Sequence, residues 1–232
     1  MKKTGVLLSG GVDSSILVAH LLDQSFTVQP FYIRSNLVWE TSEYAAANRF
    51  LAALKAPGLQ TLITLELPLQ DLYQGHWSIT GQNAPDAESP DSAVFLPGRN
   101  ALLVIKAALW CQLHDIDRLA LAPLRNNPFA DATPEFFTSL QAALNRSGLR
   151  VLEIIRPFAG MSKQQVLLLG NGYPIELTFS CISPVSGLHC GVCNKCTERK
   201  KVFRVLNRRD PTHYVNRAAA QQNALLRPSL SE

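Results

Sequence analysis

The sequence predicts an α/β protein: a doubly wound five-stranded parallel sheet with a small cysteine-bearing helical region at the C-terminal end. Three observations carry this. Short apolar runs of strand character alternate with longer runs of helical spacing through most of the chain. The first run breaks into Ser9-Gly10-Gly11-Val12-Asp13-Ser14 directly before an amphipathic segment, and Cys181, Cys190, Cys193 and Cys196 gather near the end. Such alternation places helices on both faces of a parallel sheet and ligands at the carboxyl ends of its strands.

The first element is a strand around Val6 to Leu8, followed by a helix over Ser14 to Leu22. Gly10 and Gly11 between them permit positive φ and close backbone approach. The helix N-terminus then offers unpaired N–H groups and a positive dipole end to an anion, and Ser9, Ser14 and Ser15 add hydroxyl donors. Leu8, Ser9, Gly10, Gly11, Val12, Asp13, Ser14 and Ser15 are therefore a candidate phosphate-binding loop. Asp13 either helps hold Mg²⁺ or caps the helix. No Gly-Lys-Ser/Thr and no Gly-x-Gly-x-x-Gly is present, which excludes the two commonest glycine-rich nucleotide loops.

Thr27 to Ile33 reads as the second strand and Thr41 to Leu54 as a helix with Tyr44, Ala47, Leu51 and Leu54 inward. Gln60 to Leu67 supplies the third apolar run. An irregular segment, Gln74 to Pro97, follows, and loops of that length are usually functional or mobile. Arg99 to Leu113 is an apolar helix in which Cys111 is a buried small hydrophobe. Arg118 to Pro123 is the fourth strand, Pro134 to Asn145 a helix opened by Thr133, Arg150 to Arg156 the fifth strand, and Lys163 to Leu169 a short helix.

Cys190, Cys193 and Cys196 at repeated x-x spacing, with Cys181 upstream, can converge on one tetrahedral metal. Structural Zn²⁺ is the expectation. An iron–sulfur cluster or redox thiols are the alternatives, and His189 is an alternative to Cys181 as the fourth ligand. Asn194 to Leu206 should be helical, its basic run at Arg199 to Lys201 either solvated or turned to phosphates or a partner. Asp210 to Glu232 would cap the core or a neighbouring subunit. The expected division is thus 1–177 for nucleotide binding and 178–232 for the knuckle and C-terminal helix.

Of the 232 residues 47% are apolar and 17% charged, enough for a substantial core. The formal charge of +4, without a sustained basic block, does not imply stable nucleic-acid binding. With no stretch of about 18 apolar residues, no membrane association is expected, and Met1-Lys2-Lys3 leads straight into the first strand instead of a signal-peptide core. A cytoplasmic setting is expected, where clustered cysteines are metal ligands and not disulfides.

With both motifs in hand, the chain resembles the 7-cyano-7-deazaguanine synthases of the queuosine precursor pathway, members of the PP-loop ATP pyrophosphatases. Ser9 to Ser14 resembles the family's nucleotide loop, Phe95-Leu96-Pro97-Gly98-Arg99-Asn100 its Phe-x-Pro-Gly-Arg-Asn stretch, and the segment around Asp131 a divergent form of its substrate segment. Lys163 matches a recurring lysine, and the four cysteines have the family's zinc spacing. The resemblance implies an adenine nucleotide alpha hydrolase-like, Rossmann-like fold, a homodimer, and an ATP-dependent carbon–nitrogen ligase. ATP, with Mg²⁺, would adenylate the carboxylate of 7-carboxy-7-deazaguanine, and ammonia would displace AMP to give an amide. A second activation on the amide oxygen would leave the nitrile. It also implies catalytic roles for Asp13, Ser14, Arg99 and Lys163, and acceptor contacts from Arg99, Asn100 and Asp131. Arg99 at a helix start suits a phosphate or carboxylate, and Lys163 is a compact point charge. The plainer alternatives are a helix cap or surface ion pair for Arg99 and an exposed helix residue for Lys163.

The chain departs from the family pattern at Tyr32 to Glu40 and at Ala122 to Asn127, where an acidic position is replaced by amides and an arginine. Both segments follow strands, so Arg34 and Arg125 are expected to line the acceptor pocket, with Trp39 either on a planar ring or in the core. The runner-up reading is a related amide ligase or amidotransferase acting on another carboxylate. Behind it stand tRNA thiolation and a non-catalytic zinc module.

Overall fold

The computed structural model describes residues 2–125, 127–148 and 150–215. Five parallel strands, β1 (Lys3–Leu7), β2 (Thr27–Arg34), β3 (Ile63–Glu66), β4 (Arg118–Ala120) and β5 (Glu153–Ile155), lie in the order β3-β2-β1-β4-β5. The helices are α1 (Val12–Asp23), α2 (Glu40–Leu54), α3 (Gln70–Tyr73), α4 (Trp77–Thr80), α5 (Arg99–Leu113), α6 (Pro134–Ser147), α7 (Lys163–Leu169) and α8 (Asn194–Val205). The doubly wound parallel sheet expected from the alternation is therefore present. No helix among the described residues is long and apolar enough to cross a membrane.

Strand alternation divides the interior. Val6, Val28, Tyr32 and Ala120 join Ile16, Leu17, Val166 and Phe203 in the core on one face, while Phe31, Ile33 and Leu119 join Val104, Ala108 and Phe137 on the other. Cys111 is fully buried in that second core, and burial pushes its thiol up to about 12, as suits an inert small hydrophobe. A third core gathers Leu37, Trp39, Leu96 and Phe179 around the four clustered cysteines.

Several boundaries differ from expectation for local reasons. Only three residues each of β4 and β5 hold ladder pairs; before β5 the Leu152 N–H donates to Asn145 Oδ1 at 2.9 Å instead of to a neighbouring strand, and Pro123 and Pro157 stand beyond the two strand ends. α1 starts at Val12, directly after the glycines, and α2 starts at Glu40 and turns Phe50 inward beside Ala47 and Leu51. Within the segment expected to be irregular, α4 and a short 3₁₀ turn at Asp91–Val94 form and pack on the third core. Of the C-terminal stretch, residues 216–232 lie outside the described residues. Residues 210–215 run without a helix beside the knuckle, where Tyr214 pairs with His189.

The strand order reverses between β1, which leads back to β2, and its other neighbour β4. A crevice opens beyond their carboxyl ends, the usual ligand position in such sheets. The Ser9–Ser15 loop leaves β1 into that crevice.

Candidate active site and metal centre

The loop owes its shape to Gly10 and to a ring of serine hydrogen bonds. Gly10 has φ of 77°, and a Cβ there would lie 2.5 Å from the carbonyl oxygen of Glu43, so only glycine fits. Ser9 and Ser14 hydroxyls are 3.0 Å apart, and the Ser9 hydroxyl accepts from Gly11 N at 3.3 Å. The Gly10 carbonyl accepts from Phe179 N at 2.8 Å, which fastens the loop to the strand of chain leading into Cys181.

A cavity of about 560 Å³, a size suited to small ligands, opens over this loop. Ser9, Gly11, Val12 and Asp13 form its floor, Lys163 and Arg99 bring positive charge, and Trp39, Trp77 and Phe129 make an aromatic wall. Asp13 Oδ2 accepts from Lys163 Nζ at 2.5 Å, while Asp13 Oδ1 is buried without a protein partner. Burial alone would lower the Lys163 amine, but Asp13 and Glu198 outweigh it and raise it. Glu198 in turn is pushed up by burial, yet Lys163 and Lys195 hold it at about 2. Arg99 follows Gly98, whose φ is 74°, at the start of α5, and its Nε is buried and unpartnered.

Ser14 and Ser15 are buried behind the floor, Ser14 in the serine ring and Ser15 with its hydroxyl unpartnered; Leu8 belongs to the core. Asn100 and Asp131 are turned to each other. Asn100 donates from its backbone N to Asp131 Oδ2 at 3.0 Å and from Nδ2 to Oδ1 at 3.2 Å, so this pair fixes the start of α5 and does not line the cavity. The expectation for the two departing arginines is corrected by their surroundings. Arg34 lies over the Tyr44 ring at 4.5 Å and 3.8 Å from Glu66, and Arg125 is exposed; neither lines the cavity. β2 ends with Arg34 turned toward β3, away from the switch point. Trp39 meets both of its readings, being 4% exposed, stacked on Trp77 at 5.5 Å, and part of the cavity wall.

Glu43, Trp77 and Glu198 are not among the site residues expected from the sequence, and Arg199, expected on a charged face that is either solvated or turned to phosphates or a partner, is buried. Glu43, on the first turn of α2, lines the cavity; burial pushes its carboxyl up to about 7 against the pull of Arg99. Trp77 comes from the segment without periodicity. Glu198 and Arg199 sit on α8, and Arg199, 3% exposed, donates to Thr178 Oγ1 at 2.9 Å and the Ile175 carbonyl at 3.0 Å. A signal for Arg199 exists in the sequence: Cys196, Arg199, Val202 and Phe203 share one helical stripe.

The sulfurs of Cys181, Cys190, Cys193 and Cys196 are buried and lie within 4.8 Å of one another, a set that can hold a metal ion. Cys181 and Cys193 sulfurs are 3.8 Å apart and those of Cys190 and Cys196 4.0 Å, close to the edge of about 3.8 Å of a tetrahedron with 2.3 Å metal–sulfur bonds. Backbone N–H groups of Cys190 and Cys193 point at sulfur at 3.3 Å, and hydrogen bonds from the other three thiols hold Cys190 well below the usual thiol range. His189 is excluded as a ligand by its own bond, since Nε2 accepts from Ser180 N at 3.1 Å and burial lowers the ring to about 4. The knuckle also holds the cavity wall: Asn194 N donates to the Pro85 carbonyl at 3.0 Å, and Asn194 Nδ2 to the Ser89 carbonyl at 2.9 Å.

Residues 3–207 match the family model described as queuosine biosynthesis protein QueC. The chain is 29% identical over 210 residues to 7-cyano-7-deazaguanine synthase 1 of Desulfitobacterium hafniense (strain Y51), covering 88% of this chain and 92% of that protein. It is 29% identical to the 7-cyano-7-deazaguanine synthase of Stenotrophomonas maltophilia (strain K279a), covering 92% of this chain and all of that one. Among solved structures, a 4-thiouridine synthetase in complex with RNA and bound ATP aligns with a TM-score of 0.51 at 16% identity over 88% of this chain and 50% of that one, a likeness of fold alone.

Proposed function

The chain belongs to the QueC family of queuosine biosynthesis proteins, and from that premise we propose that it is a 7-cyano-7-deazaguanine synthase whose cavity joins ATP to 7-carboxy-7-deazaguanine. The observation that carries this reading is a single cavity in which the Ser9–Asp13 floor, the Asp13–Lys163 pair and Arg99 face an aromatic wall. Such a cavity offers one end to phosphates and the other to a flat heterocycle.

In the first step a carboxylate oxygen of the acceptor attacks the α-phosphorus of ATP and pyrophosphate leaves. The N–H groups at the start of α1, the Ser9 hydroxyl and Lys163 stabilise the negative charge that develops on the leaving group. Arg99, with its free buried Nε, is placed to hold a phosphate or the acceptor carboxylate. Mg²⁺ carried with ATP would be held by Asp13, whose buried Oδ1 is free for a cation, and would supply further neutralisation of phosphate charge. Ammonia then displaces AMP to give the amide, and a repeat of the activation on the amide oxygen gives the nitrile. Trp39, Trp77 and Phe129 orient the ring and exclude water, so the activated acyl group meets ammonia and not hydroxide.

Cys181, Cys190, Cys193 and Cys196 would hold Zn²⁺ as a structural ion, because four thiolates leave no open coordination position. The alternative of another carboxylate rests on the replaced acidic position of Ala122 to Asn127 and on Arg34 and Arg125 in the acceptor pocket. Neither arginine lines the cavity, which removes the cationic part of that ground, while Ala122, Leu124 and Asn127 of the departing segment do line it.

Incubation of the protein with ATP, Mg²⁺, ammonium and 7-carboxy-7-deazaguanine, read by mass spectrometry, tests the reading. A product with the mass of the nitrile is expected. Acceptor-independent ATP turnover, or an amide of some other acid, would refute it.

A further inference from the structure

The carboxylates around the cavity are not equivalent. Asp13 is paired with Lys163, and Glu198 with Lys195 at 2.9 Å. Glu40 accepts the backbone N–H groups of Ser35 at 2.5 Å and Asn36 at 2.7 Å, and Asp91 accepts from Asn194 Nδ2 at 3.3 Å. Glu43 and Asp91 line the cavity with no cation within salt-bridge distance among the described residues, and of the two only Asp91 is held by an amide donor. The Glu43 Oε2 accepts from the Tyr32 hydroxyl at 3.3 Å, and the Trp39 side chain stands as a second neutral donor to the carboxylate. The place of Glu43 is fixed from two sides: its backbone carbonyl abuts Gly10 of the loop, and its helix starts where β2 delivers the chain to the crevice.

The reaction proposed above creates work for such a group. Ammonia adding to the acyl carbon leaves a positive nitrogen that must lose one proton as AMP departs with the C–O electron pair. After the second activation the nitrogen must lose its two remaining protons, and the last N–H electron pair becomes part of the C≡N bond. Lys163 and Arg99 are cations and cannot take these protons.

Resting on that reading of the function, we propose that Glu43 is the general base for the nitrogen: its carboxylate takes each proton in turn and returns it to solvent through the cavity mouth. Three charged or titratable groups face it, Tyr32 from β2, Glu40 from its own helix and Arg99 from α5. Burial and Glu40 raise the carboxyl and Arg99, Tyr32 and Trp39 lower it, with a balance near neutrality, where a base is most effective.

The test compares the wild-type protein with Glu43→Gln, which keeps the shape and an acceptor for Tyr32 but cannot take a proton. Acceptor-dependent exchange of pyrophosphate into ATP reports the first activation, which needs no base. Mass spectrometry reports amide and nitrile, with free NH₃ held constant across pH. The variant is expected to keep exchange within about threefold while product formation falls about 10²-fold or more. The wild-type amination rate should fall as pH drops through about 7, and that limb should vanish in the variant. Amination at the wild-type rate in the variant, or exchange falling in step with amination, overturns the proposal. If Glu43→Gln does not fold, the wild-type profile decides, since a flat rate between about pH 6 and 8 removes the base. A wild-type protein that forms no nitrile overturns the functional reading itself, and the two failures are told apart by which protein shows them.

Discussion

Lys163 Nζ lies 2.5 Å from Asp13 Oδ2, joining the first residue of α7 to the second of α1 across 150 positions of sequence. Two helix N-termini therefore converge on one corner of the crevice, and the ion pair sets the charge there. With Glu198 of α8 3.9 Å from the same amine, the knuckle helix reaches the nucleotide loop through Lys163. Loop, sheet edge and the helix of the cysteine cluster are joined through this one amine.

Lys163→Gln removes the point charge and leaves Asp13 partly buried and unpaired. ATP-dependent activation should fall about 10²-fold, as for a lost electrostatic donor. Stability should fall by only about 1–3 kcal/mol, since both side chains are 23% exposed and water replaces part of the pairing. Steady-state pyrophosphate release and a melting curve on the same preparation check both. Lys163→Arg should recover stability more fully than rate, because the guanidinium does not reproduce a compact ammonium.

Gly10→Ala should damage the loop more than its size suggests. The left-handed backbone costs an alanine about 1–2 kcal/mol, and the new methyl would lie 2.5 Å from the Glu43 carbonyl oxygen. A lower Tm together with lost ATP binding by calorimetry is expected. Binding at wild-type affinity would show that α2 can retreat from the loop.

Metal analysis should find about one zinc per chain, the stoichiometry of a single Cys₄ site. Chelation, or Cys193→Ser, should lower Tm and expose two segments to protease. One is the knuckle itself. The other is residues 85–91, because Asp86 bridges to Cys193 and Asn194 holds Pro85, Ser89 and Asp91. Cleavage confined to the knuckle would show that the cavity wall stands without it.

Arg34→Ala and Arg125→Ala should leave the acceptor KM within about twofold of wild type, and Trp77→Ala should raise it well beyond that while sparing the KM for ATP. The basis is position: neither arginine lines the cavity, and Trp77 does, stacked on Trp39. A large KM effect at Arg125 would place acceptor contacts outside the cavity.

Much of this protein was legible before any coordinates. Strand and helix periodicity carried the parallel sheet, because burying one face of each element is a local constraint that writes itself into spacing. Ser9 to Ser15 and the four cysteines were legible for the same reason: a tight turn needs glycine in place, and a tetrahedral ion needs sulfurs at short intervals. Tertiary structure decided which side chains meet. Trp39 and Trp77 stack across a segment with no periodicity, and Asp131 turns to Asn100 instead of the cavity. Glu43 reads in sequence as one more acid in a helix's first turn, and Arg34 and Arg125 as cations just past strand ends. Only the packing of α2 against Gly10 buries the first, and only the direction of the chain beyond β2 and β4 carries the other two away from the site. Side-chain burial depends on neighbours distant in sequence, so periodicity within one element does not record it.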